Sequence, residues 1–173
     1  MTTAPEDVLF CTQCGGSLTT RDVRGTPRRW CANCDHIHYA DPKVAVGVAV
    51  FRDDQLLLVR RTMDPGRGLW SLPGGYLDRG EEPAVAAARE AEEEAGVRVE
   101  VRHVLDVFAN PPEDGGAVFV LYAASWVAGE PTPGDDADRA AFFGRDELPP
   151  LAFRSTDHVI AGWPQEKWQD WSP

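Results

Sequence analysis

Three glutamates, Glu90, Glu93 and Glu94, recur three and four residues apart within one run, PAVAAAREAEEEAG (83–96). On a helix those spacings crowd carboxylates onto one side, which costs roughly 0.2–0.5 kcal/mol per like-charged pair. A hard divalent cation relieves that repulsion, because it takes several oxygen ligands at once. Glu81, just ahead of the run, is placed to reach the same region. The alternative is a solvated acidic face with no ligand at all. A second set of chemically able residues lies near the start of the chain. Cys11-x2-Cys14 and Cys31-x2-Cys34 hold all four cysteines, with sixteen residues between the pairs. Two C-x-x-C knuckles at that separation fit a tetrahedral four-thiolate zinc site with no open position. Two disulfides or a redox pair are the rival assignment.

The elements that must carry the glutamates can be read from their surroundings. Pro83 suits a first helical position, where its missing N–H would be unpaired anyway. Ala84, Ala87, Ala88, Ala91 and Ala95 form a narrow small-residue stripe that lets a helix lie close to a sheet. The stripe is expected on one face of the helix and the carboxylates on the other. Gly96 supplies the stop. Ahead of it, Val44–Phe51 is a β-branched apolar run of buried-strand length, and Asp53-Asp54 turns it into Gln55–Arg61, its expected hairpin partner. Arg60 and Arg61 at the end of that hairpin are candidates for phosphate contact or simple surface charges. Trp70 and Leu72 are expected core anchors. Beyond the helix, 97–108 and 117–128 read as strands, 141–143 as a short strand and 155–163 as a terminal helix capped by Ser155 or Thr156. His36 to Pro42 reads as a connector.

The stretch from Gly75 to Val97 fits G-x5-E-x7-R-E-U-x-E-E-x-G-U at Gly75, Glu81, Arg89, Glu90, Glu93, Glu94 and Gly96, with Val97 in one aliphatic slot. Ala91 is a small occupant of the other. Leu72-Pro73-Gly74-Gly75 leads into it. This resembles the Nudix box, the signature of hydrolases acting on nucleoside diphosphates linked to another moiety. The resemblance implies Glu90, Glu93 and Glu94 as ligands for Mg²⁺ or Mn²⁺. It also implies a metal contact from the Gly75 carbonyl, and a positioning pair between Arg89 and Glu81. It further implies a Nudix α/β/α sandwich with a mixed sheet, preceded by a small zinc ribbon. The boundaries expected are 1–40 for the ribbon and 41–173 for the hydrolase domain.

A four-Cys ribbon, a Y-x-D-P connector and a Nudix domain together also resemble the NADH pyrophosphatase branch. The S-Q-P-W-P-F-P-x-S motif of that branch is absent. The corresponding region, DELPPLAFRST (146–156), is closer to small zinc-ribbon Nudix proteins of the ADP-ribose and FAD pyrophosphatase type. The resemblance therefore implies a small-molecule nucleoside diphosphate derivative as partner, with ADP-ribose or FAD favoured and NADH next. Nucleoside triphosphates or capped RNA are a further option. The competing class is a nucleotide sensor or nucleic-acid-binding protein on the same fold without hydrolysis. The resemblance also implies a further acid from beyond the box, as ligand or base, among Glu113, Asp135, Asp136 and Asp138, with Asp136 preferred; for any one of them an ordinary solvated acidic loop is the reading favoured over it.

Composition narrows the partners. The 173 residues suit one ordinary domain with a small appendage, and 43% of them are hydrophobic. No apolar run approaches the ~20 residues of a membrane-spanning helix. A net charge of −11 argues against general nucleic-acid or anionic-membrane binding. It does not disfavour a phosphorylated small molecule, since bound cations invert the local sign. Arg21, Arg24, Arg28 and Arg29 give the cysteine module a basic hairpin, with only Trp30 interleaved, so packing or dimer formation is preferred to nucleic-acid binding. His36 and His38 are surplus to a closed four-Cys site. The first ten residues lack a basic patch followed by an apolar stretch, so a cytoplasmic protein is expected. The resemblance implies a homodimer, and Trp168 and Trp171 are candidates to pack on the body of the domain or across that interface.

Overall fold

A computed structural model describes residues 8–109 and 116–162. The chain separates into two compact units, Met1–Pro42 and Lys43–Pro173. In the first, β1 (Leu18–Val23), β2 (Thr26–Cys31) and β3 (Ile37–His38) form a three-stranded antiparallel sheet. The β1–β2 turn is made by Arg24 and Gly25, both at positive φ. β3 corrects the reading of 36–42 as a plain connector, since Ile37 and His38 pair with Trp30 and Arg29. The basic hairpin is partly inward. Arg29 donates to the carbonyls of Val8 and Leu18 at 3.0 and 2.9 Å, while Arg21 and Arg28 stack on Trp30 and Tyr39.

The second unit is built on a mixed sheet in the order β10-β5-β4-β9-β8, with β6 added to β5 and β7 added to β4. Its strands are β4 (Val44–Arg52), β5 (Gln55–Arg61), β6 (Trp70–Ser71), β7 (Gly74–Tyr76), β8 (Arg98–Ala109), β9 (Val118–Ala128) and β10 (Ala137–Gly144). β4 and β9 run parallel over eight residue pairs. Alternation along the strands sends two sets of side chains to opposite faces. Val46, Val48, Val50, Leu57 and Val59 meet Ala86, Ala87, Ala91 and Ala95 of α1 (Pro83–Ala95). Ala49, Leu56, Leu58 and Leu121 meet Val159 of α2 (Arg154–Ala161). The result is the expected α/β/α sandwich.

The feature that positions the site is a gap in one hairpin. β4 and β5 pair directly only near their turn, at Phe51–Leu56 and Arg52–Gln55. Further along, Trp70–Ser71 pairs with Arg60 and Val59, and Gly74–Tyr76 pairs with Gly47, Val46 and Ala45. The W-S-L-P-G-G-Y segment thus fills the opening and carries Gly74 and Gly75 into the sheet beside α1. Only glycine fits at position 74. A Cβ there would run into the Val46 carbonyl oxygen and lie 2.9 Å from the Gly47 Cα.

Some expectations need correction. The 141–143 strand is longer, spanning Ala137–Gly144. α2 begins at Arg154, so Ser155 and Thr156 sit in its first turn and neither caps it; the Thr156 N–H bonds Phe153 O at 3.1 Å. Trp70 is only partly buried, against a core that contains Leu72. Glu113, Trp163, Trp168 and Trp171 lie outside the described residues.

Candidate metal and hydrolase site

The helix that holds the acids is ended by Gly96 at φ 66°, and the loop from 129 to 138 completes its C-terminus. Thr132 N–H bonds Ala95 O at 2.8 Å and Gly134 N–H bonds Glu94 O at 3.2 Å. Carbonyls that a helix end would otherwise leave unpaired are thereby satisfied. The same contacts draw the acidic loop against the last turn of α1. A Cβ on Gly134 would strike the Glu93 carbonyl, so this close approach also depends on glycine.

The faces of α1 divide differently from the expectation. Ala87, Ala91 and Ala95 are buried, as is Ala86 outside the stripe, whereas Ala84 and Ala88 are only partly covered. Glu90 and Glu94 are themselves buried, at 6% and 7% exposure, and only Glu93 of the three is exposed. The carboxylates therefore border the core face instead of opposing it. They tolerate this because β7 meets them with glycines. Gly74 N–H donates to Glu94 Oε2 at 3.0 Å. A Cβ on Gly75 would collide with the Glu90 carboxylate, 2.7 Å from Cδ.

Arg89 ties the remaining acids together. Its Nε and Nη2 make a two-pronged bond to Glu81, at 2.8 and 3.0 Å. Its Nη1 donates to Glu90 Oε1 at 2.9 Å and Glu93 Oε2 at 2.8 Å. Glu81 is locked further by the Asp78 N–H at 3.0 Å. The Arg89 guanidinium, helped by that N–H, holds the Glu81 carboxyl down at about 2. Burial pushes Glu94 up to about 7 despite the Gly74 N–H, and Glu90 and Asp136 add repulsion. Burial raises Glu90 as well, against Arg89, with Glu93 and Asp135 contributing. Two buried, mutually repelling carboxylates and an adjacent glycine form a set of hard oxygen donors suited to a divalent cation. Among the described residues the four cysteines are the only group whose ligand atoms already converge as a metal site, and Glu90, Glu93 and Glu94 do not form one. In this arrangement the Arg89 Nη1 stands between Glu90 and Glu93 as their counter-charge.

The later acids separate. Asp138 is held by Arg60, which donates twice at 2.7 Å. Asp136 presents its carbonyl to the N–H and hydroxyl of Thr62, at 2.9 and 2.8 Å. Arg61 bonds the Pro65 carbonyl at 2.8 Å and acts attractively on Glu94. Sequence reasoning missed the Gly74 N–H and the loop contacts on α1. The paired glycines of L-P-G-G were the available signal for the first.

In the first unit the four sulfurs converge within 4.8 Å of one another, and neither His36 nor His38 joins them. Cys11–Cys34 and Cys14–Cys31 sulfurs lie 3.7 and 3.5 Å apart. A disulfide needs about 2.05 Å; a tetrahedron of ~2.3 Å zinc–sulfur bonds has edges of about 3.8 Å. The two knuckles are built alike. Gly15 and Asp35, both at positive φ, donate to the carbonyls of Cys11 and Cys31. Burial pushes the Cys31 thiol up, but the N–H groups of Cys34 and Asn33 outweigh it and bring it down to about 7. That favours a thiolate at Cys31, whereas Cys34, despite the His36 N–H, is pushed up to about 12 by the neighbouring Cys14 thiol and by burial.

Comparison with known proteins gives the NUDIX domain family at residues 41–162 and the Nudix N-terminal zinc-ribbon family at residues 9–40. An ADP-ribose pyrophosphatase of Methanocaldococcus jannaschii is 37% identical over 117 residues, 66% of this chain and 69% of that protein. The NAD-capped RNA hydrolase NudC of Vibrio parahaemolyticus is 27% identical over 148 residues, 85% of this chain but only 55% of its own length. Among solved structures, a NUDIX hydrolase from Nitrosomonas europaea superposes with a TM-score of 0.85 at 34% identity, covering 94% of each chain.

Proposed function

The chain belongs to the Nudix family of hydrolases, and from that premise we infer that it splits the pyrophosphate bond of a nucleoside diphosphate derivative, releasing AMP. ADP-ribose is the favoured substrate, giving AMP and ribose 5-phosphate; FAD, giving AMP and FMN, stands beside it and NADH comes next. The observation that carries this reading is the burial of Glu90 and Glu94 against Gly75 and Gly74. Burying two carboxylates side by side is costly even with the Arg89 and Gly74 hydrogen bonds, and a divalent cation gripping a diphosphate is the partner that makes the arrangement useful.

Glu90, Glu93 and Glu94 would hold Mg²⁺ or Mn²⁺, with the Gly75 carbonyl beside them. Bound there, the metal supplies neutralisation of charge on the diphosphate oxygens. The chain's own residues do the remaining work. Glu81 fixes Arg89 through two hydrogen bonds, and Arg89 fixes the headgroups of Glu90 and Glu93. Gly74 N–H orients Glu94. A carboxylate of the cluster, or Asp135 or Asp136 from the adjoining loop, orients the attacking water and takes its proton. The four cysteines would hold a structural Zn²⁺, supported by sulfur separations close to tetrahedral edges. Among the described residues no helix is long and apolar enough to cross a membrane; cytoplasmic location and a homodimer complete the proposal. All the box acids are present, which speaks for hydrolysis over a sensor. The test is a panel of ADP-ribose, FAD, NADH and dinucleoside polyphosphates with Mg²⁺ or Mn²⁺. AMP release from ADP-ribose or FAD is expected, and no cleavage of any of them would overturn the reading.

A further inference from the structure

Arg60 near the end of β5 and Asp138 near the start of β10 are two of the charges that the sequence offered to the substrate or the metal. The geometry commits them to each other. The guanidinium meets the carboxylate side-on, Nε to Oδ1 and Nη2 to Oδ2, both at 2.7 Å. Such a two-pronged pair fixes orientation as well as distance. It lies where β10 is irregular: Ala137 pairs with Arg61 and Arg139 with Arg60, so Asp138 is the extra residue of a bulge. Two residues earlier, Thr62 grips the Asp136 carbonyl with both its N–H and its hydroxyl. The other end of the loop is fastened to α1 by Thr132 and Gly134. The loop is thus pinned at one end to the helix carrying the acids and at the other to β5. Asp135 and Asp136 lie between the pins, directly after Gly134, whose N–H meets the Glu94 carbonyl at 3.2 Å and which packs against the Glu93 carbonyl.

We propose that Arg60 and Asp138 are a positioning pair that holds Asp135 and Asp136 against the Glu90–Glu94 carboxylates, so that the loop acids complete the cation site. Neither member touches substrate. Arg60 is not a phosphate clamp, and Asp138 is not a metal ligand. The proposal rests on the hydrolase reading for its consequence in turnover, but cation binding tests it independently.

The decisive experiment is a charge exchange read by Mn²⁺ titration with electron paramagnetic resonance and by steady-state hydrolysis of ADP-ribose. Arg60→Ala and Asp138→Ala should each weaken Mn²⁺ binding about tenfold. At saturating Mn²⁺ the KM for ADP-ribose should stay within threefold of wild type. The exchanged protein, Arg60→Asp with Asp138→Arg, should regain Mn²⁺ affinity to within threefold. A phosphate-binding Arg60 predicts the reverse: a raised KM in Arg60→Ala, unaltered Mn²⁺ affinity, and no recovery on exchange. Either that pattern or wild-type Mn²⁺ affinity in both single variants overturns the proposal. Should the exchanged protein fail to melt cooperatively, Arg60→Lys decides. It keeps the charge but loses the fork, so it should fall between wild type and Arg60→Ala, and equality with wild type overturns the positioning role. If no variant, wild type included, hydrolyses ADP-ribose while the Mn²⁺ pattern holds, the substrate reading has failed and the pair stands.

Discussion

Replacing Gly75 by alanine would place a methyl group 2.7 Å from the carboxylate carbon of Glu90 and 2.9 Å from its Oε2. Carbon atoms settle at about 3.5–4.0 Å, so the carboxylate would have to retreat by about 1 Å. The obstacle is the end of a side chain, and a rotamer change of roughly 0.5–1.5 kcal/mol relieves it. The fold should therefore survive with little loss of stability. Catalysis should not, because a displacement of about 1 Å at a reacting centre costs on the order of 100-fold in rate. Gly74→Ala makes the contrast. Its methyl would meet the Val46 carbonyl and the Gly47 Cα, backbone that no rotamer can move. Overpacking of that kind costs roughly 1–3 kcal/mol. Urea unfolding and ADP-ribose turnover, measured side by side, should show Gly75→Ala stable but about 100-fold slower, and Gly74→Ala plainly destabilised. Wild-type turnover in Gly75→Ala would refute the placement of Glu90 at the working site.

The ion pair of Glu81 gives the acid limb of stability. Its carboxyl is held at about 2 by Arg89, below the ordinary 4.5, so its contribution is present above about 4.5 and lost as pH falls towards 2. Glu81→Gln should flatten that part of the urea midpoint against pH; an unchanged slope would count against the pair. Thr156→Val should be neutral or stabilising by about 1 kcal/mol, since its buried hydroxyl has no partner among the described residues; a loss above that size would reveal one. Stripping zinc with a chelator should abolish amide protection in β1 to β3, because a module this small relies on its metal. Protection that persists in the metal-free protein would remove zinc from the account.

Much of this architecture was legible from short-range pattern. Gln55–Arg61 is a strand because an apolar run sits between an Asp-Asp turn and a Pro/Gly loop. Pro83 and Gly96 bracket α1, and the cysteine spacing alone pointed to the sulfur cluster. Long-range pairing was not legible. Nothing local says that Trp70–Tyr76 splits into two short strands that complete opposite sides of a splayed hairpin. Helical spacing likewise put Glu90 and Glu94 on a polar face. It is the missing side chains of Gly74 and Gly75, brought in from the sheet, that let the acids be buried. Arg60 and Asp138 are seventy-eight residues apart, and their union depends on β5 and β10 being neighbours.

The central claim is that the α1 carboxylates bind the cation that makes diphosphate cleavage possible. Glu93 is the exposed member of the three, so Glu93→Gln leaves packing intact and isolates the charge. In Mn²⁺-supported ADP-ribose hydrolysis this variant should melt like wild type yet release AMP orders of magnitude more slowly. Wild-type rates of AMP release from Glu93→Gln would contradict the account.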